Sequence, residues 1–188
     1  YFMQKSTKIL VPVDFSPSSE NAFRFALQFA DKTGASIYLL NVVAPQAEGM
    51  DYPVMVANAT QQRLEAAREI KNKFIEAGIT ATKEHLKETP SISSDLEIGM
   101  PVSGICNVAK REDIDLIIIG SRGENRSFTE KILGSVTSGV VGSSNCSVMV
   151  IPEDSTLKTI DSMCYSTEVS HHDPFEIWKA LGFLKPFS

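Results

Sequence analysis

The run Asp115-Leu116-Ile117-Ile118-Ile119-Gly120 constrains this chain more than any other stretch. Its apolar residues follow one another without polar alternation, and three of them are β-branched. A strand of that kind is covered on both faces, which is the condition of a strand inside a parallel sheet. Parallel neighbours must be reached by crossovers, and the usual crossover is a helix. The rest of the chain therefore has to supply strands and helices in turn.

It does so. Lys8 to Val13 reads as a short buried strand, with Pro12 near its end where a lost N–H is tolerated. Ser16 is a good helix cap and Pro17 a good first helical residue. Ala22, Phe23, Ala26, Phe29 and Ala30 follow at helical spacing, and Gly34 is the expected stop. Ser36 to Val43 is a second strand. Pro45 to Pro53, with Gly49 and Asp51, is a loop. A long helix is predicted from about Val56 to Ala77, closed by Gly78. Ile79 to Ser94 gives no clear signal beyond the helix break at Pro90, and a weak strand is predicted over Ser94 to Ile98. Pro101 opens a third helix to about Arg111. After Asp115 to Gly120 come a glycine-rich segment, a small-residue helix over Ser135 to Val141, and a last strand over Ser147 to Ile151. Strand-helix alternation with right-handed crossovers implies an α/β, doubly wound, five-stranded parallel sheet with helices on both faces. Ligands of such sheets sit at the carboxyl ends of the strands, where the strand order reverses.

Length and charge narrow the function classes. A chain of 188 residues suits one domain with an appendage. It buries roughly 70% of its extended surface, so its core needs no disulfide or metal. Lys plus Arg is 18 and Asp plus Glu is 23, for a net charge of −5. That balance argues against nucleic acid and against a polybasic membrane anchor. Cys106, Cys146 and Cys164 are odd in number and widely spaced, as expected of small core thiols in a reducing compartment. No apolar run reaches the roughly 18 residues of a membrane span, and no signal peptide is evident. The expectation is a cytoplasmic protein whose natural start is Met3.

The residues richest in chemistry are Gly120 to Val136. Gly120 and Gly123 flank a tight turn directly after the buried strand, and Gly134-Ser135 opens the next helix. Free N–H groups at a helix start, with a serine hydroxyl, form an anion site. Glycine lets a ligand approach the backbone without a Cβ in the way. Arg122, Arg126 and Lys131 add local positive charge, a combination that favours a polyphosphate. The segment is neither a Walker A loop, lacking Gly-Lys-Ser/Thr, nor the dinucleotide fingerprint, whose glycine spacing and position differ. The plainer reading of these glycines is turns and a helix cap.

The stretch Lys8 to Pro152 resembles the universal stress protein family. Ile9-Leu10-Val11-Pro12-Val13-Asp14-Phe15-Ser16 looks like the family's opening. Leu39-Leu40-Asn41-Val42-Val43 matches its Leu-Leu-His-Val, with Asn41 in place of the common His. The glycine segment matches its nucleotide-binding signature, Gly-x2-Gly-x9-Gly-Ser/Thr, except that ten residues, Glu124 to Leu133, separate Gly123 from Gly134. The resemblance implies an adenine nucleotide alpha hydrolase-like fold and a homodimer. Because all three glycines are kept, it implies the ATP-binding branch, with Mg²⁺ carried through the phosphates. On that resemblance Asp14 accepts from the nucleoside, with Pro12 and Val13 beside it. Val42 and Ile119 line the adenine. Gly120, Arg122 and Gly123 wrap the ribose and phosphates, and Gly134, Ser135, Val136 and Thr137 bind phosphates from the helix start. The implied function is a stress-response or signalling protein in which ATP orders the Gly123–Gly134 segment and changes the surface a partner sees.

Other readings suit some of the same residues. Asp14 also suits an Asx-type turn before the helix cap. Adenylating or pyrophosphate-cleaving enzymes carry His-x-Gly-His or Ser-Gly-Gly-x-Asp-Ser near the first strand, where this chain has Asp-Phe-Ser-Pro. No base for an attacking water stands out, so a dedicated enzyme is not expected, and a nucleotide-free dimeric scaffold is the other alternative. His171-His172-Asp173 is a poor metal chelate, because adjacent side chains on an extended chain point apart. The tail, residues 153–188, is set apart from the domain, residues 3–152. Asp173-Pro174-Phe175-Glu176 starts a short helix predicted to end at Gly182. Its Phe175, Trp178 and Leu181 are too apolar for a free tail, so the tail is expected to dock on its own domain or on a dimer partner.

Overall fold

A computed structural model describes residues 7–45, 53–121, 133–157, 162–166 and 173–187. It divides into two compact units, Tyr1–Ser155 and Thr156–Ser188.

Among the described residues the first unit holds five strands: β1 (Lys8–Pro12), β2 (Ser36–Val43), β3 (Ile92–Ile98), β4 (Leu116–Gly120) and β5 (Ser147–Ile151). They form one parallel sheet in the order β3-β2-β1-β4-β5. The crossovers are α1 (Pro17–Thr33), α2 (Pro53–Thr82), α3 (Pro101–Arg111) and α4 (Ser135–Ser143). Leu10, Leu40, Ile117 and Ile119 bury one face of the sheet under Ile105 and Val108 of α3 and Val140 of α4. Helices α1 and α2 pack on each other and on the strands, and bury Phe23, Leu27 and Phe29 of α1. All five residues of β4 are buried, as its unbroken apolar run requires. The order reverses between β1 and β4, so the crevice at their carboxyl ends is the switch point.

Local chemistry sets several boundaries. The Ser16 hydroxyl accepts from the Ser19 N–H at 3.3 Å and caps α1, with Pro17 in its first turn. Gly34 ends the helix in the left-handed region at φ 71°, and its N–H donates to the Ala30 carbonyl.

Two glycines expected as stops are helix interior instead. Helix α2 runs past Gly78 to Thr82, whose hydroxyl donates back to the Gly78 carbonyl at 2.7 Å. A Cβ on Gly78 would stand 2.6 Å from the Phe23 ring, so this glycine serves the approach of α2 to α1. In the second unit, α5 (Asp173–Leu184) runs through Gly182 into a 3₁₀ turn, Lys185–Phe187. Phe175 and Trp178 of α5 are exposed and stack at 6.2 Å. Strand β3 starts at Ile92, two residues before its predicted start. Its Ser93, Ser94, Asp95 and Glu97 are the polar residues of an edge strand, which blurs its signal. Among the described residues no helix is long and apolar enough to cross a membrane.

Candidate functional site

A cavity of about 580 Å³ opens at the carboxyl ends of β1, β2 and β4. Pro12, Val13 and Asp14 enter it from β1, Val42 from β2, and Ile119 and Gly120 from β4. The start of α4 supplies Gly134, Ser135, Val136 and Thr137. These residues come from four separate stretches of sequence and meet in one hollow. Arg122 and Gly123 lie outside the described residues, as do Arg126, Lys131 and the two adjacent histidines.

The turn after β1 is held from within. Asp14 Oδ1 accepts from the Ser16 N–H at 3.1 Å and from the Ser16 hydroxyl at 2.6 Å, so the Asx turn is present. Between them Phe15 takes a left-handed backbone at φ 65°, uncommon for an aromatic residue. Its ring meets Phe74 of α2 edge-on at 5.4 Å. The β1 tip is tied to β2 by two bonds. The Val13 N–H donates to the Leu40 carbonyl at 2.8 Å, and Asn41 Nδ2 donates to the Val13 carbonyl at 2.7 Å. Asn41 is 7% exposed and also lines the cavity. The sequence marked it only as a replacement for histidine.

Helix α4 begins without a side-chain cap, because its cap residue is Gly134. The N–H groups of Ser135, Val136 and Thr137 therefore have no acceptor within the helix, and its positive end faces the cavity. Gly134 is fixed on both sides: its N–H donates to the Ser121 carbonyl at 2.8 Å, and its carbonyl accepts from Ser138 at 2.9 Å. The Thr137 hydroxyl donates to the Gly120 carbonyl at 2.8 Å, so its proton ties α4 to the end of β4. Gly120 has a different reason to be glycine from the one its motif suggests. The room a Cβ would need is taken by Ser18 of α1, not kept for a ligand.

Helix α2 forms a wall that sequence reasoning missed. Arg63, Ala66, Ala67 and Ile70 line the cavity from one helix face, at the spacing i, i+3, i+4, i+7. Arg63 Nη1 donates to the Ala44 carbonyl at 3.1 Å, just beyond β2. Among the described lining residues Arg63 is the only cation and Asp14 the only carboxylate. No three His, Cys, Asp or Glu side chains converge as metal ligands among the described residues.

Other titratable groups lie away from the cavity. Burial, and then the neighbouring Cys146, push the Cys106 thiol up. Cys106 and Cys146 are half-buried, while Cys164 is exposed and so is not the core thiol expected from the sequence. At the β3 edge Arg111 bonds Glu97 at 2.7 Å and Glu112 at 3.1 Å, which holds its guanidinium charged. Burial, with Asp95 and Glu112 nearby, pushes the Tyr38 phenol up.

The profile of the universal stress protein family matches residues 5–152. The chain belongs to the universal stress protein family. Universal stress protein MJ0577 of Methanocaldococcus jannaschii is 30% identical over 152 residues, which is 77% of this chain and 93% of that protein. Universal stress protein Sll1654 of Synechocystis sp. is 34% identical over 151 residues, 77% of this chain and 84% of the relative. Among solved structures, universal stress protein UspA from Lactobacillus plantarum superposes with a TM-score of 0.65 at 29% identity, covering 77% and 97% of the two chains. The shared architecture is the five-stranded parallel α/β sheet described above. A universal stress protein solved in complex with cAMP shares that fold, with a TM-score of 0.53 at 18% identity.

Proposed function

We propose that this universal stress protein binds an adenine nucleotide, ATP carried with Mg²⁺, in the cavity at the switch point. The uncapped start of α4 carries the reading. Three backbone donors without an intrahelical acceptor open into a hollow whose size suits a mononucleotide. The cavity is also chemically two-ended. The α4 side is polar, whereas Val42, Val43, Ala66, Ala67 and Ile70 on the β2 and α2 side are apolar. Asp14 lies at the tip of the central strand between them, where a ribose hydroxyl would donate to it. With one carboxylate among the described lining residues, the donor set suits an anion that brings its own metal. Mg²⁺ would partly neutralise the phosphates there.

The protein acts as a binder. Asp14 is engaged by Ser16, and no second carboxylate or histidine among the described lining residues stands ready as a base for water. Occupancy is the signal: a ligand that favours one conformation shifts the population a partner meets. A homodimer belongs to the same reading. The edge strand β5 presents Val148, Met149 and Val150, all half-buried, beside an edge that no described strand pairs. Three free cysteines fit a reducing, cytoplasmic setting. Docking of residues 153–188 on their own domain or on a dimer partner is part of the proposal. Their deletion is expected to change the dimer mass or the melting temperature, and unchanged values would overturn it.

The deciding experiment is calorimetric titration of ATP with Mg²⁺ into the full chain, with thermal melting alongside. Saturable heat and a raised melting temperature are expected. No heat and no shift at millimolar ATP would replace this reading with that of a nucleotide-free scaffold. Turnover faster than about one per second, the low end of typical enzymes, would make the protein an enzyme.

A further inference from the structure

We infer that Arg63 lies over the nucleobase and sets the preference of the cavity for a nucleotide over a bare polyphosphate. The inference rests on the nucleotide reading above and concerns the end of the cavity that the glycine motif does not touch. Strand β1 stands between β4 and β2 in the sheet. A ligand with its phosphates at the start of α4, which follows β4, passes the β1 tip and brings its other end toward β2. That end is a slot between the tip of β2 and the face of α2.

The α2 wall of the slot is made of small side chains. Ala66 and Ala67 are the smallest apolar side chains a helix can offer, and Ile70 continues the wall one turn on. Arg63 lines this end of the cavity and donates to the Ala44 carbonyl at 3.1 Å. That bond uses one of five guanidinium donors, and no carboxylate among the described residues pairs with the group. A delocalised planar cation beside an apolar slot attracts the face of an aromatic ring. Guanidinium planes stack on bases in the same way when nucleotides are held single-stranded. An arginine meant for phosphate would belong with the α4 donors, on the other side of β1.

The test uses two probes, ATP and inorganic tripolyphosphate, each with Mg²⁺, titrated into the parent chain, Arg63→Ala and Arg63→Lys. Thermal melting first confirms that each variant is folded. Arg63→Ala is expected to weaken ATP about tenfold, the size of one base-stacking contact, and to leave tripolyphosphate unchanged. Arg63→Lys keeps the charge without the plane and is expected to behave like Arg63→Ala. Equal losses for both probes would make Arg63 a phosphate ligand and overturn the inference. Full rescue by lysine would overturn it too, because charge alone would then suffice. ATP binding unaltered in Arg63→Ala would remove this inference alone. A parent chain that ignores ATP would remove the nucleotide reading and this inference with it.

Discussion

Gly120 at the end of β4 lies so close to Ser18 of α1 that a Cβ on it would stand 2.5 Å from the Ser18 hydroxyl and 2.8 Å from the Ser18 carbonyl oxygen. Backbone fills that space, so no side-chain rotation relieves the clash. Gly120→Ala must push the first turn of α1 away from the sheet, and the Asp14 turn moves with it. Overpacking of this kind costs about 1–3 kcal/mol. A lowered urea midpoint with an unchanged slope is expected, and an unchanged midpoint would show that the two elements separate freely.

Ser135 offers a way to remove one backbone donor while keeping the helix. It is the first residue of α4, where proline is well tolerated, and Gly134 before it is already extended at φ −63°, ψ 159°. Ser135→Pro should therefore melt within a few degrees of the parent and bind ATP about tenfold more weakly, since a charge-assisted hydrogen bond is worth about 1.5–3 kcal/mol. Ser135→Ala separates the hydroxyl from the N–H. If Ser135→Pro binds ATP like the parent, the α4 start is not the phosphate site.

Asn41 tests how the β1 tip is held. Asn41→Leu matches its shape and leaves the Val13 carbonyl without its donor, at a cost of about 1–3 kcal/mol. Asn41→His, which restores an N–H donor at the residue the family commonly carries, is expected to recover most of that loss. Chemical denaturation of both variants decides it. Equal stability of the leucine and histidine variants would mean that the Asn41–Val13 bond contributes nothing.

Two of the three cysteines, Cys106 and Cys164, should alkylate in a set order. The thiolate is the reacting form, and Cys106 is both half-buried and pushed above the ordinary thiol value by burial and Cys146. A raised value means less thiolate at any pH below it, so Cys106 lags the exposed Cys164 under iodoacetamide. Its rate rises about tenfold per pH unit until the pH reaches that value. Peptide mass spectrometry over a pH series reads both sites. Cys106 reacting as fast as Cys164 would contradict the burial.

What was legible in the sequence follows from where each signal lives. Ser16, Pro17, Gly34 and Pro101 act on their own turns, so the helix ends they mark are found where their chemistry puts them. The unbroken β4 run announced a buried parallel strand because nothing else suits it. Gly78 misled because a glycine needed for contact with Phe23 looks like a glycine needed to stop a helix. The two differ only in a neighbour 55 residues away. That the strand-end residues meet in one cavity was legible, because the carboxyl edge of a doubly wound sheet is known in advance. The α2 wall was not, since the side of the sheet a helix crosses decides which of its faces meets the cavity. Its one available trace was the spacing of Arg63, Ala66, Ala67 and Ile70, with two small residues at its middle.

The position of β1 also bears on how the chain is made. Of the five strands in this sheet β1 is synthesised first, and it lies third, with β2 on one side and β4 on the other. Its pairing of Ile9 with Leu116 spans 116 − 9 = 107 residues. A chain emerging from the ribosome therefore carries β1 with one flank unsatisfied through the whole synthesis of α2, β3 and α3. Long-range parallel pairing of this kind folds slowly and leaves sticky intermediates. The start of α4 follows β4 in the chain, so both sides of the cavity at the β1 tip are present only after that wait.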